Sequence, residues 1–281
     1  MRLLSVIQLM RPWQWSKNLM VYFPPLLSGA ILHYGFGLRM FLPFAALCVV
    51  SSATYVFNDL IDLPRDARHP EKCSRPLPAG AVSKPVAMLM AAVLTTVGLT
   101  IGGLISPKFF YLLLVYLLVS ISYTLLLKNL PIIDIFCVSL GFVLRLYGGG
   151  EAFAVFISDW LFLTVFLLSI FLSVGKRYSE RRALGETAGE HRPTLEEYPD
   201  GFLESALYLS GAAVLVTYAI YAISWPFLVY SVPLCMFGLL RYLLRIKSGQ
   251  SGDPSSALIK DGPLLATGIL WLLIVGWSVY R

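Results

Sequence analysis

Between Ser205 and Leu240 the chain runs for 36 residues without a charged side chain. A bilayer-crossing helix needs only about 20 mostly apolar residues. The stretch therefore holds two spans, divided at Trp225-Pro226 because proline disfavours helix at the residue before it. Similar charge-free runs occupy Asn18–Leu38, Met40–Asn58, Pro85–Pro107, Phe109–Leu127 and Gly262–Tyr280. Asn129–Gly150 joins them with only Asp134 and Arg145 inside, and the shorter Trp160–Gly175 can be extended by Ser158 and Asp159. Nine spans are expected. Composition agrees, at 57% hydrophobic and 14% charged residues, where a soluble domain carries about 25% charge. Water-soluble, collagen-like, coiled-coil, disordered and nucleic-acid-binding classes are excluded, despite a net charge of +6. The chain reads as an all-α membrane protein, with residues 1–281 as a single integral membrane domain and no cleavable leader.

The basic residues orient it. With the N-terminus inside, only Arg39, Lys108 and Arg281 of the 22 basic residues fall outside, while Arg145 lies within a span. The remainder gather in the tail (Arg2, Arg11, Lys17) and the inner loops, the skew that the positive-inside rule describes. An inner-membrane protein with its N-terminus and polar site at the cytoplasmic face is expected. Cys48, Cys73, Cys137 and Cys235, like His33, His69 and His191, are scattered, so neither a disulfide framework nor a Cys/His metal site is suggested.

The most informative stretch begins Tyr55-Val-Phe-Asn58-Asp59-Leu-Ile-Asp62-Leu-Pro-Arg-Asp66. It continues through His69, Lys72 and Arg75 to Gly80. Asn58, Asp62 and Asp66 recur every four residues, which on a helix places them on one face, with Tyr55 one turn earlier. Oxygen ligands at that spacing suit Mg²⁺, which binds a few carboxylates together with substrate phosphates and water. Pro64 is expected to distort the helix near Asp66. The plainer alternative is an ordinary polar loop, although acids at an apolar helix end are costly unless neutralised.

This stretch resembles the first aspartate-rich motif, NDxxDxxxD, of the UbiA superfamily of membrane prenyltransferases. The resemblance covers nearly the whole chain. It implies a nine-transmembrane-helix bundle of UbiA type around a central cavity open to the cytoplasmic side, with Mg²⁺ as cofactor. Aromatic prenyltransferases of that superfamily carry a second motif near DxxxD, where this chain has Gly175-Lys176-Arg177-Tyr178-Ser179-Glu180. That segment, with Arg11-Pro-Trp-Gln-Trp-Ser-Lys17-Asn18, Tyr123-Thr-Leu-Leu-Leu-Lys128 and Gly141-Phe-Val-Leu-Arg145, resembles the decaprenyl-phosphate phosphoribosyltransferases. The implied reaction moves the 5-phosphoribosyl group of phosphoribosyl diphosphate to a polyprenyl phosphate and releases diphosphate. An aromatic prenyltransferase using a prenyl diphosphate is the alternative. A transporter or lipid scaffold is a non-enzymatic one. A homo-oligomer is compatible with the sequence.

Under that resemblance Asn58 and Asp62 hold Mg²⁺ on the diphosphate, with Asp59 and Asp66 as further ligands or supports; Asp59, Asp62 and Asp66 form the catalytic set. Lys17, Tyr55, Tyr123 and Lys128 would meet donor phosphates, and Lys72, Arg75 and Arg145 the lipid phosphate. Lys176 and Arg177 are further phosphate contacts. Simpler roles stand beside these. Lys17 and Lys128 also suit lysines snorkelling at helix ends, and the two tyrosines an aromatic belt. Arg145 lies eleven residues beyond Asp134, about three helical turns, so a structural pair is equally open. Lys176 and Arg177 also suit a solvated basic cluster.

Overall fold

A computed structural model of the chain describes residues 3–34, 37–68, 72–185, 189 and 193–281. Arg2, His69, His191 and Arg192 lie outside the described residues. Among those described, the ordered elements are all helical. Among the described residues eight helices are long and apolar enough to cross a membrane: Leu38–Asp66, Lys84–Ile105, Pro107–Leu125, Ile133–Ala152, Asp159–Leu184, Phe202–Ile223, Leu228–Lys247 and Gly262–Tyr280. The expected ninth, over Asn18–Leu38, is broken instead. It comprises a 3₁₀ run at Pro12–Tyr22 and short helices at Phe23–Leu27 and Ile31–Tyr34. The consecutive Pro24 and Pro25 lack backbone donors, and Gly29 adopts a left-handed φ of 76°. An uncharged run is thus necessary for a spanning helix but does not exclude helix breakers within it.

Two other boundaries move for related reasons. Leu38–Asp66 is one helix of 29 residues that absorbs Arg39 and passes through Pro64 as far as Asp66. Its length is about 43 Å, longer than a hydrocarbon core of about 30 Å, so the acidic end can project beyond the apolar layer. Asp159–Leu184 also outruns its apolar stretch, carrying Lys176 and Arg177 on a helix rather than in a loop. Ser158 caps its start, accepting from the Leu161 N–H at 3.2 Å. The division at Trp225-Pro226 matches the break between Phe202–Ile223 and Val232–Lys247.

The chain forms two compact units. The first comprises residues up to 25, 30–128 and 144–156. Its longest helix, Leu38–Asp66, packs mainly on Lys84–Ile105. In lipid, helices associate through close van der Waals packing, which small residues permit. A Cβ on Gly98 would stand 2.4 Å from Val50 Cγ2, so glycine is what lets these two helices approach. Val21, Val50, Phe109, Leu113 and Tyr116 fill the core beside that contact. Leu9, Val56, Leu77, Val82 and Ala87 form a second cluster that seats the post-motif loop against the acid-bearing helix.

The second unit comprises residues 26–29, 129–143 and 157–281. Phe171, Val174, Leu203, Leu207, Val214, Tyr242 and Ile246 make its core. Farther along, the Trp271 indole N–H donates to the Tyr218 hydroxyl at 2.6 Å, and that hydroxyl also pairs with Ser231 at 2.5 Å. Interhelical bonds of this kind satisfy polar groups that lipid would leave unmatched.

Candidate functional site

The acid motif occupies the last turns of Leu38–Asp66, and its four polar residues divide between two edges. Helical rotation of about 100° per residue sets Asn58 beside Asp62, and sets Asp59 almost in line with Asp66, seven residues later. On the first edge, Asn58 Oδ1 accepts from the Thr124 hydroxyl at 3.3 Å and Asp62 is ion-paired with Lys128. Both partners come from the end of Pro107–Leu125 and the short 3₁₀ turn Leu127–Asn129 that follows. On the second edge, Asp59 pairs with Arg11 and lies 3.3 Å from Arg75 Nη1. The same Arg75 nitrogen reaches Asp66 at 2.6 Å, and Lys72 Nζ is 3.8 Å from the other Asp66 oxygen. The sequence reading put Asp66 on the face of Asn58 and Asp62. The structure instead groups it with Asp59, because one arginine bridges both.

Of the residues expected to meet phosphate, Lys17, Tyr55, Lys72, Arg75, Tyr123 and Lys128 all lie in the first unit. Lys72, Arg75 and Lys128 contact the motif directly. Tyr55 lies under the Arg11 guanidinium, 5.3 Å from ring centroid to Cζ. Lys17 stands between two anchors of the 3₁₀ run. The Trp15 indole N–H donates to Ser52 Oγ at 3.0 Å, and Asn18 Nδ2 donates to Ser51 Oγ at 3.1 Å. Tyr123 is half-buried and adjacent to Thr124 in sequence.

Arg145 is buried in the same unit. Its Nε donates to Asn18 Oδ1 at 2.7 Å, its Nη2 donates to the Tyr116 hydroxyl at 2.9 Å, and the guanidinium stacks on that ring at 4.8 Å. Asn18, Arg11 and Thr124 were not among the expected site residues. Arg11 stands in the Arg11-Pro-Trp-Gln-Trp-Ser-Lys17-Asn18 segment, which was the available signal for it; Thr124 offered none beyond its place after Tyr123.

Among the described residues, no three His, Cys, Asp or Glu side chains converge as a metal-holding group. The Asn58/Asp62 edge still fits a hard divalent cation. It offers an amide oxygen and a carboxylate one turn apart, and Mg²⁺ commonly takes only one or two carboxylates beside phosphate oxygens and water.

In the second unit Arg177 is buried, with Nε 2.8 Å from Asp134 Oδ2, and it also pairs with Glu180. The Tyr198 hydroxyl donates to Asp134 Oδ1 at 3.1 Å and accepts from the Ile132 N–H at 2.7 Å. Burial pushes the Tyr198 phenol up to about 12. Its bond to Ile132 holds a non-glycine residue at a φ of 68°. Lys176 is half-buried on the same helical turn as Arg177.

Asp253 and Asp261, unassigned from sequence, are helix N-caps. Asp253 accepts from the Ser256 N–H at 3.0 Å, and Asp261 from that of Leu264 at 3.0 Å. Hydrogen bonds from Arg241 and Arg245 hold the Asp261 carboxyl below the ordinary range.

The model of the UbiA prenyltransferase family matches residues 22–272. A decaprenyl-phosphate phosphoribosyltransferase of Mycolicibacterium smegmatis is 30% identical, covering 98% of this chain and 92% of its own. The protein of the same name from Mycobacterium tuberculosis is 30% identical over 98% of this chain and 94% of its own. Among solved structures, a UbiA homolog from Archaeoglobus fulgidus bound to GPP and Mg²⁺ superimposes with a TM-score of 0.73 at 20% identity. That match covers 99% of this chain and 100% of the homolog.

Proposed function

The chain belongs to the UbiA prenyltransferase family and is a multi-pass membrane transferase, and from that premise we propose that it moves a 5-phosphoribosyl group from phosphoribosyl diphosphate to a polyprenyl phosphate. The observation that carries this reading is the charge balance around the acid motif. Arg11, Lys72, Arg75 and Lys128 surround Asp59, Asp62 and Asp66, and every carboxylate already has a cation. A prenyl diphosphate brings one polyanionic group, whereas this reaction brings phosphates on both donor and acceptor. A basic surround suits the second case better. The names of the mycobacterial relatives support the same substrates, and so does the basic Lys176 where aromatic prenyltransferases carry a motif near DxxxD.

Asn58 and Asp62 would hold the Mg²⁺ that the Archaeoglobus homolog binds with GPP. When bound, the ion would offset negative charge gathering on the departing diphosphate. Lys128 lies against Asp62 at the same edge, where it would meet a phosphate oxygen of the donor. Lys17, Tyr55 and Tyr123 bind the donor, and Arg75, Lys72 and Arg145 bind the lipid phosphate. The phosphate monoester is already an anionic nucleophile, so no general base is required. Its oxygen forms the new bond to the anomeric carbon as the bond to diphosphate breaks, with inversion. Cations fixed in advance stabilise charge that develops in that step. Asp59 and Asp66 keep Arg11 and Arg75 in place. Arg177 is a positioning residue for the Ile132–Asp134 turn, and Lys176 remains an anion contact. The skew of basic residues supports an orientation with the acid motif at the cytoplasmic face of the cell membrane.

The test uses purified protein in detergent with Mg²⁺, labelled phosphoribosyl diphosphate and polyprenyl phosphate. Labelled phosphoribosyl lipid is expected. A prenylated aromatic product from a parallel incubation with prenyl diphosphate, and none from the first, would replace this reading.

A further inference from the structure

Arg11 occupies the junction between the helix Leu3–Met10 and the 3₁₀ run Pro12–Tyr22, with φ 53° and ψ 59°. Left-handed backbone favours glycine, and a larger residue persists there only where its surroundings demand it. Here the demand comes from the side chain. The guanidinium pairs with Asp59, a carboxylate only 3% exposed, and lies over the Tyr55 ring.

The rest of the segment is fastened farther along the same helix. Ser52 Oγ shares its proton between the Met10 carbonyl at 2.9 Å and the Cys48 carbonyl at 2.8 Å, Trp15 donates to Ser52, and Asn18 donates to Ser51. Ser51 and Asp59 are eight residues apart, about 12 Å along the helix axis. Arg11 is thus the anchor at the motif end, and Lys17 and Tyr55 both fall within the tethered stretch.

We propose that Arg11 is a positioning residue for the donor site: by fastening the N-terminal segment to Asp59 and covering Tyr55, it fixes where Lys17 and Tyr55 present themselves to a sugar diphosphate. This rests on the function proposed above. Asp59, paired with Arg11, belongs to the tether rather than to the Asn58/Asp62 edge. The guanidinium already has a carboxylate and a ring as partners, so its contribution to the donor is made through Lys17 and Tyr55.

The test is a double-mutant cycle on the full-length protein. Arg11→Gly removes the side chain while suiting the left-handed backbone, and Asp59→Asn removes the charge on the other partner. Arg11→Gly should raise the KM for phosphoribosyl diphosphate about tenfold, with kcat and the KM for polyprenyl phosphate within about threefold. Asp59→Asn should raise the same donor KM about tenfold, and because Asp59 also touches Arg75 the donor KM alone is compared in that variant. The double variant should be no worse than either single one, and Arg11→Lys should recover part of the loss. Additive effects on the donor KM, or equal rises in both KM values in Arg11→Gly, would overturn the proposal.

Hydrogen exchange of residues 12–22 reads the tether without any substrate. It should quicken alike in both single variants and no further in the double. Were the wild-type protein to show no turnover with this donor, the proposed function would fall. The exchange cycle would still decide the tether: coupled rates support it, and independent rates overturn it.

Discussion

At the acid-motif end of the first unit, Lys128 and its partner Asp62 are 13% and 20% exposed, whereas the Asp59 and Asp66 carboxylates beneath Arg75 and Lys72 are only 3% and 5% exposed. In the second unit Arg177 is 4% exposed and its partner Asp134 is 0%. Both places neutralise acids with bases, yet they suit different work. A half-open pair gains little from its own Coulomb attraction in high dielectric, so its cation can exchange a carboxylate for an arriving phosphate at small cost. A sealed pair cannot do so. Removing either partner leaves a charge buried and uncompensated. The difference separates pairs whose cation is open to an arriving anion from pairs that hold backbone in place, and sequence spacing alone treats them alike.

The largest expected effect tests the open end. Asp62→Ala should lower formation of phosphoribosyl lipid by about a thousandfold, equivalent to about 4 kcal/mol, while the melting temperature in detergent moves little. Near-normal turnover at limiting Mg²⁺ would remove Asp62 from the metal edge. For the sealed end, Asp134→Ala should cost about 3–5 kcal/mol of stability, read from denaturant unfolding in detergent. Lost turnover with unchanged unfolding would erase the contrast drawn here.

Arg145 lies between the two extremes, because it is buried and yet belongs to the first unit. Arg145→Lys keeps the charge and loses the planar fork that bonds Asn18 and Tyr116. The KM for polyprenyl phosphate should rise about tenfold, about 1.4 kcal/mol, with the donor KM nearly unchanged. A joint fall in stability and in affinity for both substrates would class Arg145 with Arg177.

The smallest effect concerns Asp261. Its carboxyl is held below the ordinary range, first by its bond from Arg241 and then by that from Arg245. The folded form therefore binds its proton less readily than the unfolded chain does. The resulting stability is present above an unfolded pKa of about 4 and is lost as pH falls toward the depressed folded value. Asp261→Asn should flatten the acid limb of the melting temperature against pH. An unchanged limb would show that this cap contributes nothing to acid stability.

Much of the architecture was legible along the chain. Gaps between charges located eight of the spanning helices, and the Trp225-Pro226 step divided the longest gap correctly. The boundaries were less legible, since a helix does not stop where apolar residues stop. Leu38–Asp66 and Asp159–Leu184 both continue into polar sequence because backbone hydrogen bonding continues. In the other direction, Pro24-Pro25 and Gly29 interrupt a stretch that hydropathy alone makes continuous.

The sequence by itself determined that the chain lies in a membrane, that its charges gather at helix ends, and that Asn58, Asp59, Asp62 and Asp66 share one helical stretch. These follow from composition and from periodicity, which are local properties. Only the tertiary structure decided how that stretch is shared out, with Asn58 and Asp62 toward Thr124 and Lys128, and Asp59 and Asp66 toward Arg11 and Arg75. It also decided that Asp134 has Arg177 and Tyr198 as partners. The partner of a buried charge is whichever opposite or hydrogen-bonding group packing brings within about 3 Å, and packing can bring Arg11 to Asp59 across 48 positions of sequence.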